Sequence, residues 1–168
     1  MNTFTRYLKM TLIAALLLGS PALIFAQSSS EYYTHAVGGR FGVSNGITYK
    51  HFLSPGGHAI DAIVNFQGNR EYGVFKVLGL YEIHDRIQVL DYQGLLWYYG
   101  AGGGLGIYDD KLENSTTVAF SIDGVVGVDF KIPTAPINIA LDWKPMLELS
   151  PYPGLKFDGF GLSLRFAF

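Results

Sequence analysis

The closing stretch of the chain, Gly159 to Phe168, alternates strictly between two kinds of side chain. Phe160, Leu162, Leu164, Phe166 and Phe168 fall on one parity, and Gly159, Gly161, Ser163, Arg165 and Ala167 on the other. Successive side chains of a strand point to opposite faces, so this is a ribbon with one wholly apolar face and one small or charged face. A soluble sandwich alternates too, but here the apolar face is uniformly large and ends on an aromatic residue. That face is read as turned toward lipid. After the amino-terminal region no apolar run is long enough for a spanning helix, which takes about 20 residues. A bilayer cannot solvate an open sheet edge, so a chain of such ribbons must close into a barrel.

The same period recurs along the chain. Val37, Phe41 and Val43 oppose Thr34, Ala36 and Arg40, and Asn45-Gly46 then reads as a type I′ hairpin turn. Ile47 to Leu53 forms a second strand, with Lys50 on the parity of Thr48 and Phe52, and Ser54-Pro55-Gly56-Gly57 ends it. Ala59 to Phe66 is a third and Tyr72 to Ile83 a fourth, in which Phe75, Val77 and Tyr81 oppose Lys76. His84 to Gln93 is polar and reads as a connection. Leu95 to Tyr108 sets Trp97, Tyr99, Leu105 and Ile107 against Tyr98 and the glycines at 100, 102, 104 and 106. Thr117 to Ile132 opposes Val118, Phe120, Ile122, Val126, Val128 and Phe130 to Asp123, Asp129 and Lys131. Ile137 to Leu149 opposes Leu141 and Trp143 to Asp142, Lys144 and Glu148, and Pro145 within it points to a bulge. With the last ribbon these make eight strands of about the length a tilted membrane strand needs. The predicted fold is all-β, an eight-stranded antiparallel up-and-down transmembrane barrel with short connections.

The amino-terminus predicts export. Arg6 and Lys9 precede the apolar run Leu12 to Leu18, and Ala26 offers a cleavage site, so residues 1–26 read as a signal peptide and residues 27–168 as one barrel domain. The whole chain carries 12 Lys+Arg against 14 Asp+Glu. Losing Arg6 and Lys9 makes the mature balance more acidic, about −4, which is no footprint for nucleic acid.

Together these features resemble the small eight-stranded outer-membrane barrels of Gram-negative bacteria, the group that includes the OmpA membrane domain, OmpX and OmpW. The resemblance rests on the leader, the strand count and the ending on Phe160, Leu162, Leu164, Phe166 and Phe168. It implies that this ending serves as the signal read by the barrel assembly machinery, and that outer-membrane lipids surround the protein. Trp97-Tyr98-Tyr99-Gly100 and Leu141-Asp142-Trp143-Lys144-Pro145 are similar to phrases of small barrels from Bacteroidetes-type bacteria. The connections are shorter than those of adhesive members.

With the apolar faces outward, the lumen collects Arg40, Lys50, Lys76, Lys131, Lys144 and Arg165 together with Asp61, Asp123, Asp129, Asp142 and Glu148. An eight-stranded barrel is just wide enough for side chains to fill, and a buried ion must be paired. A structural ion network is therefore expected, with the glycines of the fifth strand making room for long Lys and Arg side chains. The competing reading is a proton path or acid/base site on Asp123 and Asp129. Tyr81, Trp97, Tyr99, Phe130 and Phe168 are expected at one membrane interface, and Phe41, Phe66, Phe120 and Phe160 at the other.

Other chemistry is thinly signalled. His35, His51, His58 and His84 lack metal-site spacing, so no metal and no cofactor is expected. His51 or His58 with Ser54 is the nearest approach to a nucleophile and base, and it falls at a turn. Gly100 to Gly106 lacks the Lys-Ser/Thr of a phosphate loop. Asp109, Asp110 and Glu113 read as a solvated acidic loop, and Asn114-Ser115-Thr116 matches a glycosylation acceptor by pattern alone. The expectation is a monomeric, non-catalytic outer-membrane protein of structural or binding role. The alternatives are a narrow channel for small solutes, a membrane-embedded lipid enzyme, and a soluble lipocalin-like barrel with its apolar faces inward.

Overall fold

The computed structural model describes residues 33–68, 72–87, 93–110, 115–150 and 152–168. The leader, residues 1–26, lies outside them, as do Glu113 and Asn114 of the acidic loop and glycosylation pattern. The strands are β1 (His35–Gly42), β2 (Asn45–Phe52), β3 (His58–Gly68), β4 (Tyr72–Arg86), β5 (Leu95–Asp110), β6 (Ser115–Lys131), β7 (Ile137–Trp143), β8 (Met146–Ser150), β9 (Gly154–Lys156) and β10 (Phe160–Ala167). Each pairs antiparallel with its neighbour in sequence from β1 to β7, β8 continues β7 along β6, and β10 returns to pair with both β7 and β1. The sheet is closed, and it has eight staves.

The staves are staggered. From Arg40 the register runs through Gly46, Asn65, Lys76 and Gly106 to Ala119. In the other direction it runs through Ser163 and Ala140 to Asp129. The two routes reach β6 ten residues apart. Ten residues at ~3.3 Å climb about 33 Å around a girth of roughly eight strand spacings of ~4.8 Å, which tilts the staves about 40° from the barrel axis. That tilt gives a narrow tube whose inner face is reached by side chains from every wall.

Two local readings need correction. Asn45-Gly46 is not the first turn: Asn45 pairs with Phe66 and Gly46 with Asn65, inside β2. The reversal lies one step earlier, at Val43 and Ser44, where Gly42 takes φ 152°. Gly46 serves close packing instead, since a Cβ there would sit 2.8 Å from Asn65 Oδ1. Nor is His84 part of a connection, because β4 runs on to Arg86 and His84 pairs with Tyr98 of β5. His84 is a strand residue whose inward parity continues from Lys76 and Glu82.

Pro145 interrupts its stave as its missing donor requires, but without the expected bulge: the register with β6 is the same at Trp143–Val126 and Met146–Asp123, and the irregularity falls between Phe120 and Ser121 instead. β7 ends at Trp143 and β8 resumes at Met146, while the facing stave breaks between Lys156 and Phe160. Backbone bonds still cross the break: Lys144 N donates to Gly159 O at 3.0 Å and Gly124 N to Pro145 O at 2.8 Å.

The outer wall is apolar. Val37, Phe41, Ile47, Ile60, Val77, Leu105, Ile122, Leu141, Leu162 and Leu164 are all exposed on it, whereas Arg40, Lys50, Asp61, Asp129, Asp142 and Arg165 are buried inside. This is the reverse of a soluble barrel, where water faces polar residues. A lipocalin-like arrangement with its apolar faces inward is thereby excluded.

Candidate functional site in the barrel lumen

The lumen is built from one parity of each stave. At the end holding the chain termini it is stoppered by an apolar cluster of Tyr33, Ala36, Phe52, Ala59, Leu96 and Ala167. Above this plug lies a ring of fully buried charge. Arg165 Nη2 donates to Asp61 Oδ2 at 2.8 Å, its Nε and Nη2 to Thr48 Oγ1 at 3.1 and 3.0 Å, and its Nη1 to Asn138 Oδ1 at 3.2 Å. Thr48 in turn donates to Asp61 Oδ1 at 2.6 Å. Asp129 accepts from Asn138 Nδ2 at 2.5 Å and from the Tyr33 hydroxyl at 3.1 Å. Lys50 Nζ lies 2.7 Å from Glu82 Oε2 and 3.4 Å from Asp129 Oδ2. Its ammonium also stands 4.1 Å from the centre of the Tyr98 ring, and His84 packs between that ring and Phe52.

A second tier crosses the middle. Arg40 Nη1 and Nη2 grip both oxygens of Asp142 at 2.6 Å, and the Tyr98 hydroxyl donates to Asp142 Oδ2 at 3.0 Å. The fork of a guanidinium matches a carboxylate in this bidentate way. Glycine floors admit the long side chains: a Cβ at Gly161 would collide with the Arg40 guanidinium, and one at Gly127 would lie 2.8 Å from Tyr98 Cζ. Ile63, Leu78, Leu80, Val125 and Ala140 pack with Tyr98 as an apolar belt beside this tier.

The third tier faces the hairpin loops and is the wettest. Lys76 Nζ donates to Asp123 Oδ1 at 3.3 Å and to the Met146 sulfur at 2.7 Å, while Ser121 donates to Asp123 Oδ2 at 2.5 Å. A Cβ at Gly104 would stand 2.5 Å from Lys76 Cε, so that glycine makes room for this lysine. Glu148 is ion-paired with Lys156 and accepts from the Tyr108 hydroxyl at 3.2 Å. Side-chain exposure rises along the axis, from 0% at Lys50 to 12% at Lys76 and 40% at Lys156. Among the described residues the lumen is thus plugged at the terminal end and grows more accessible toward the loops.

All the charged residues singled out from alternation face this lumen, Lys131 included, whose Nζ donates to the Ile132 and Ala135 carbonyls at 2.8 Å each. Asp123 and Asp129 belong to different tiers with different partners, so they do not form a joint acid/base site. Alternation sets Tyr98 on the inward parity of the fifth strand but does not single out Glu82, His84 and Tyr33. Glu82 and His84 share the parity of Lys76: Glu82 lies within the predicted fourth strand, and following that parity past Ile83 finds His84.

Outside, Trp97 stacks on Tyr99 at 5.2 Å, Tyr81 on His58 at 5.6 Å, and Phe168 on His35 at 5.5 Å. Phe130 sits on the same wall, between Leu95 and Ile139. Ser54 Oγ accepts from the backbone N of His58 at 3.2 Å, and no imidazole bonds it among the described residues. His51 stacks instead on His35, with their Nδ1 atoms 3.2 Å apart.

No protein-family model matches the chain, and neither does any curated protein sequence. Among solved structures it is similar to neisserial surface protein A (NspA), at 11% identity and a TM-score of 0.56, over 83% of this chain and 98% of that one. The fold is that of a small eight-stranded outer-membrane barrel. At this identity the likeness concerns architecture, and the lumen chemistry is argued from this chain's own residues.

Proposed function

We propose that the protein is an integral outer-membrane barrel without catalytic activity, serving a structural or binding role, with a lumen closed by paired charge. The observation that carries this reading is the radial segregation of the wall: large apolar side chains outside, and Arg40–Asp142, Arg165–Asp61 and Lys50–Glu82 pairs inside. Only a surrounding hydrocarbon phase makes that distribution favourable, at roughly 25 cal/mol for each Å² of apolar surface kept from water. The resemblance to other small barrels supports the outer membrane as the destination. Residues 1–26 would direct export, and Phe160, Leu162, Leu164, Phe166 and Phe168 would be read by the assembly machinery. Tyr81, Trp97, Tyr99, Phe130 and Phe168 would anchor the barrel at an interface, and the barrel would stand as a monomer among lipids.

Membrane fractionation with heat-modifiable gel mobility tests the location. Planar-bilayer recording on the refolded protein tests the closed lumen, with no unitary conductance as the expected result. A steady conductance carried by the wild-type barrel would favour the narrow-channel reading and overturn this one.

A further inference from the structure

The ionic partners within the lumen do not divide evenly. Each inward carboxylate among the described side chains has a cation: Asp142 has Arg40, Asp61 has Arg165, Glu82 has Lys50, Asp123 has Lys76, and Glu148 has Lys156, with Asp129 shared by Lys50 and Arg165. Lys131 ends on backbone carbonyls. The Lys144 side chain has no hydrogen bond or ion pair among the described residues, although only 8% of the residue is exposed. In the half of the lumen nearer the loops, Arg40, Lys76, Lys144 and Lys156 face Asp123, Asp142 and Glu148, an excess of one positive charge among the described residues.

We infer that this loop-side chamber is a binding site for an oxyanion, a phosphate or carboxylate group, held by Lys144 with Lys76 as its second donor. The Lys144 backbone bonds Gly159 at the break between β7 and β8, which fixes its Cα on the inner wall. It shares the inward face with Met146, two residues on, and Met146 is register-paired with Asp123, the partner of Lys76. Lys76 spends one of its donors on the Met146 sulfur. A thioether is a weak acceptor for an ammonium, and an oxyanion would displace it readily. An ammonium has three donors and no acceptor, so what Lys144 lacks can be supplied only by an acceptor, best a negative one. The chamber lies toward the loop end, where the Lys156 side chain is 40% exposed, while among the described residues the apolar plug fills the other end. This inference adds a ligand to the proposed barrel, and its test needs no bilayer: a protein that binds the anion yet conducts would refute the closed lumen and leave the site standing.

The test is isothermal titration of the refolded full-length protein in a neutral maltoside detergent, at constant ionic strength balanced with chloride. Inorganic phosphate and acetate probe free anions. Lysophosphatidic acid, against neutral lysophosphatidylcholine, probes a lipid headgroup. The expected result is saturable binding of phosphate or acetate or lysophosphatidic acid, weakened at least tenfold by Lys144→Gln, retained by Lys144→Arg, weakened by Lys76→Gln and untouched by Lys131→Gln at the far end. Lysophosphatidic acid binding at least tenfold tighter than phosphate would assign a lipid headgroup as the source; equal affinities would assign a free anion. Heat-modifiable mobility verifies that each variant is folded. Absence of saturable binding by all three anionic probes, or binding by folded Lys144→Gln equal to wild type, would overturn the inference.

Discussion

The bidentate pair of Arg40 and Asp142 offers the sharpest test of how the lumen is held. It joins β1 to β7 over Gly161 of the stave between them, both residues are nearly inaccessible, and Nη1 and Nη2 each reach an oxygen at 2.6 Å. Replacing one partner strands the other where only 2–3% of either side chain is exposed. Arg40→Met leaves Asp142 with the Tyr98 hydroxyl alone, and Asp142→Leu leaves Arg40 with Ser163 Oγ at 3.4 Å. A stranded buried charge typically costs ~3–5 kcal/mol. Removing both charges together leaves none to strand, and such replacements range from neutral to mildly stabilising. The double-mutant cycle should therefore be strongly non-additive, with a coupling of about 3 kcal/mol or more, equivalent to over a hundredfold in the folding equilibrium. The assay is reversible urea unfolding of the barrel in lipid vesicles, followed by tryptophan fluorescence. Additive single substitutions, each below about 1 kcal/mol, would show that water reaches this tier and that the pair is not the strut described.

Several other outcomes follow from the same geometry. Leu164→Arg, on the outer wall, should cost ~2–4 kcal/mol in a bilayer because a cation is placed toward hydrocarbon, and urea titration in vesicles measures it. Lys144→Met should raise stability by about 1–3 kcal/mol, since it removes an ammonium for which the wall supplies no partner; a loss of stability in the same titration would refute that account. Tyr98→Phe should cost ~1–2 kcal/mol through the lost bond to Asp142. Gly161→Ala should destabilise by about 1–3 kcal/mol, because the new methyl group occupies the place of the Arg40 guanidinium, and the thermal midpoint of heat-modifiable mobility would register it.

Much of this protein can be read without coordinates, because a two-residue period is a local property of the backbone. Alternation alone put Leu162 and Leu164 on one side of the last stave and Ser163 and Arg165 on the other. It did the same for Asp123 and Asp129 against Val126 and Val128, and strand count and parity led to a closed barrel of eight. Local reasoning failed where a local signal competed with pairing. Asn45-Gly46 has strong turn chemistry, yet its residues are held in β2 by Phe66 and Asn65. His84 is polar, yet β4 carries it inward between Phe52 and Tyr98.

What no local pattern could decide is who meets whom across the lumen. Arg40 and Asp142 are 102 positions apart, and Arg165 and Asp61 are 104. Their meeting depends on closure of β1 against β10: Arg40 reaches Asp142 through the β1–β10 and β10–β7 registers, and Arg165 reaches Asp61 through the β10–β1, β1–β2 and β2–β3 registers. A slip of one residue in a single register would turn that stave's inward set outward. The sequence by itself determined which side chains enter the tube, since that is set by parity. Only the closed, staggered tertiary structure decided the partners, and with them which cation, Lys144, is left without one.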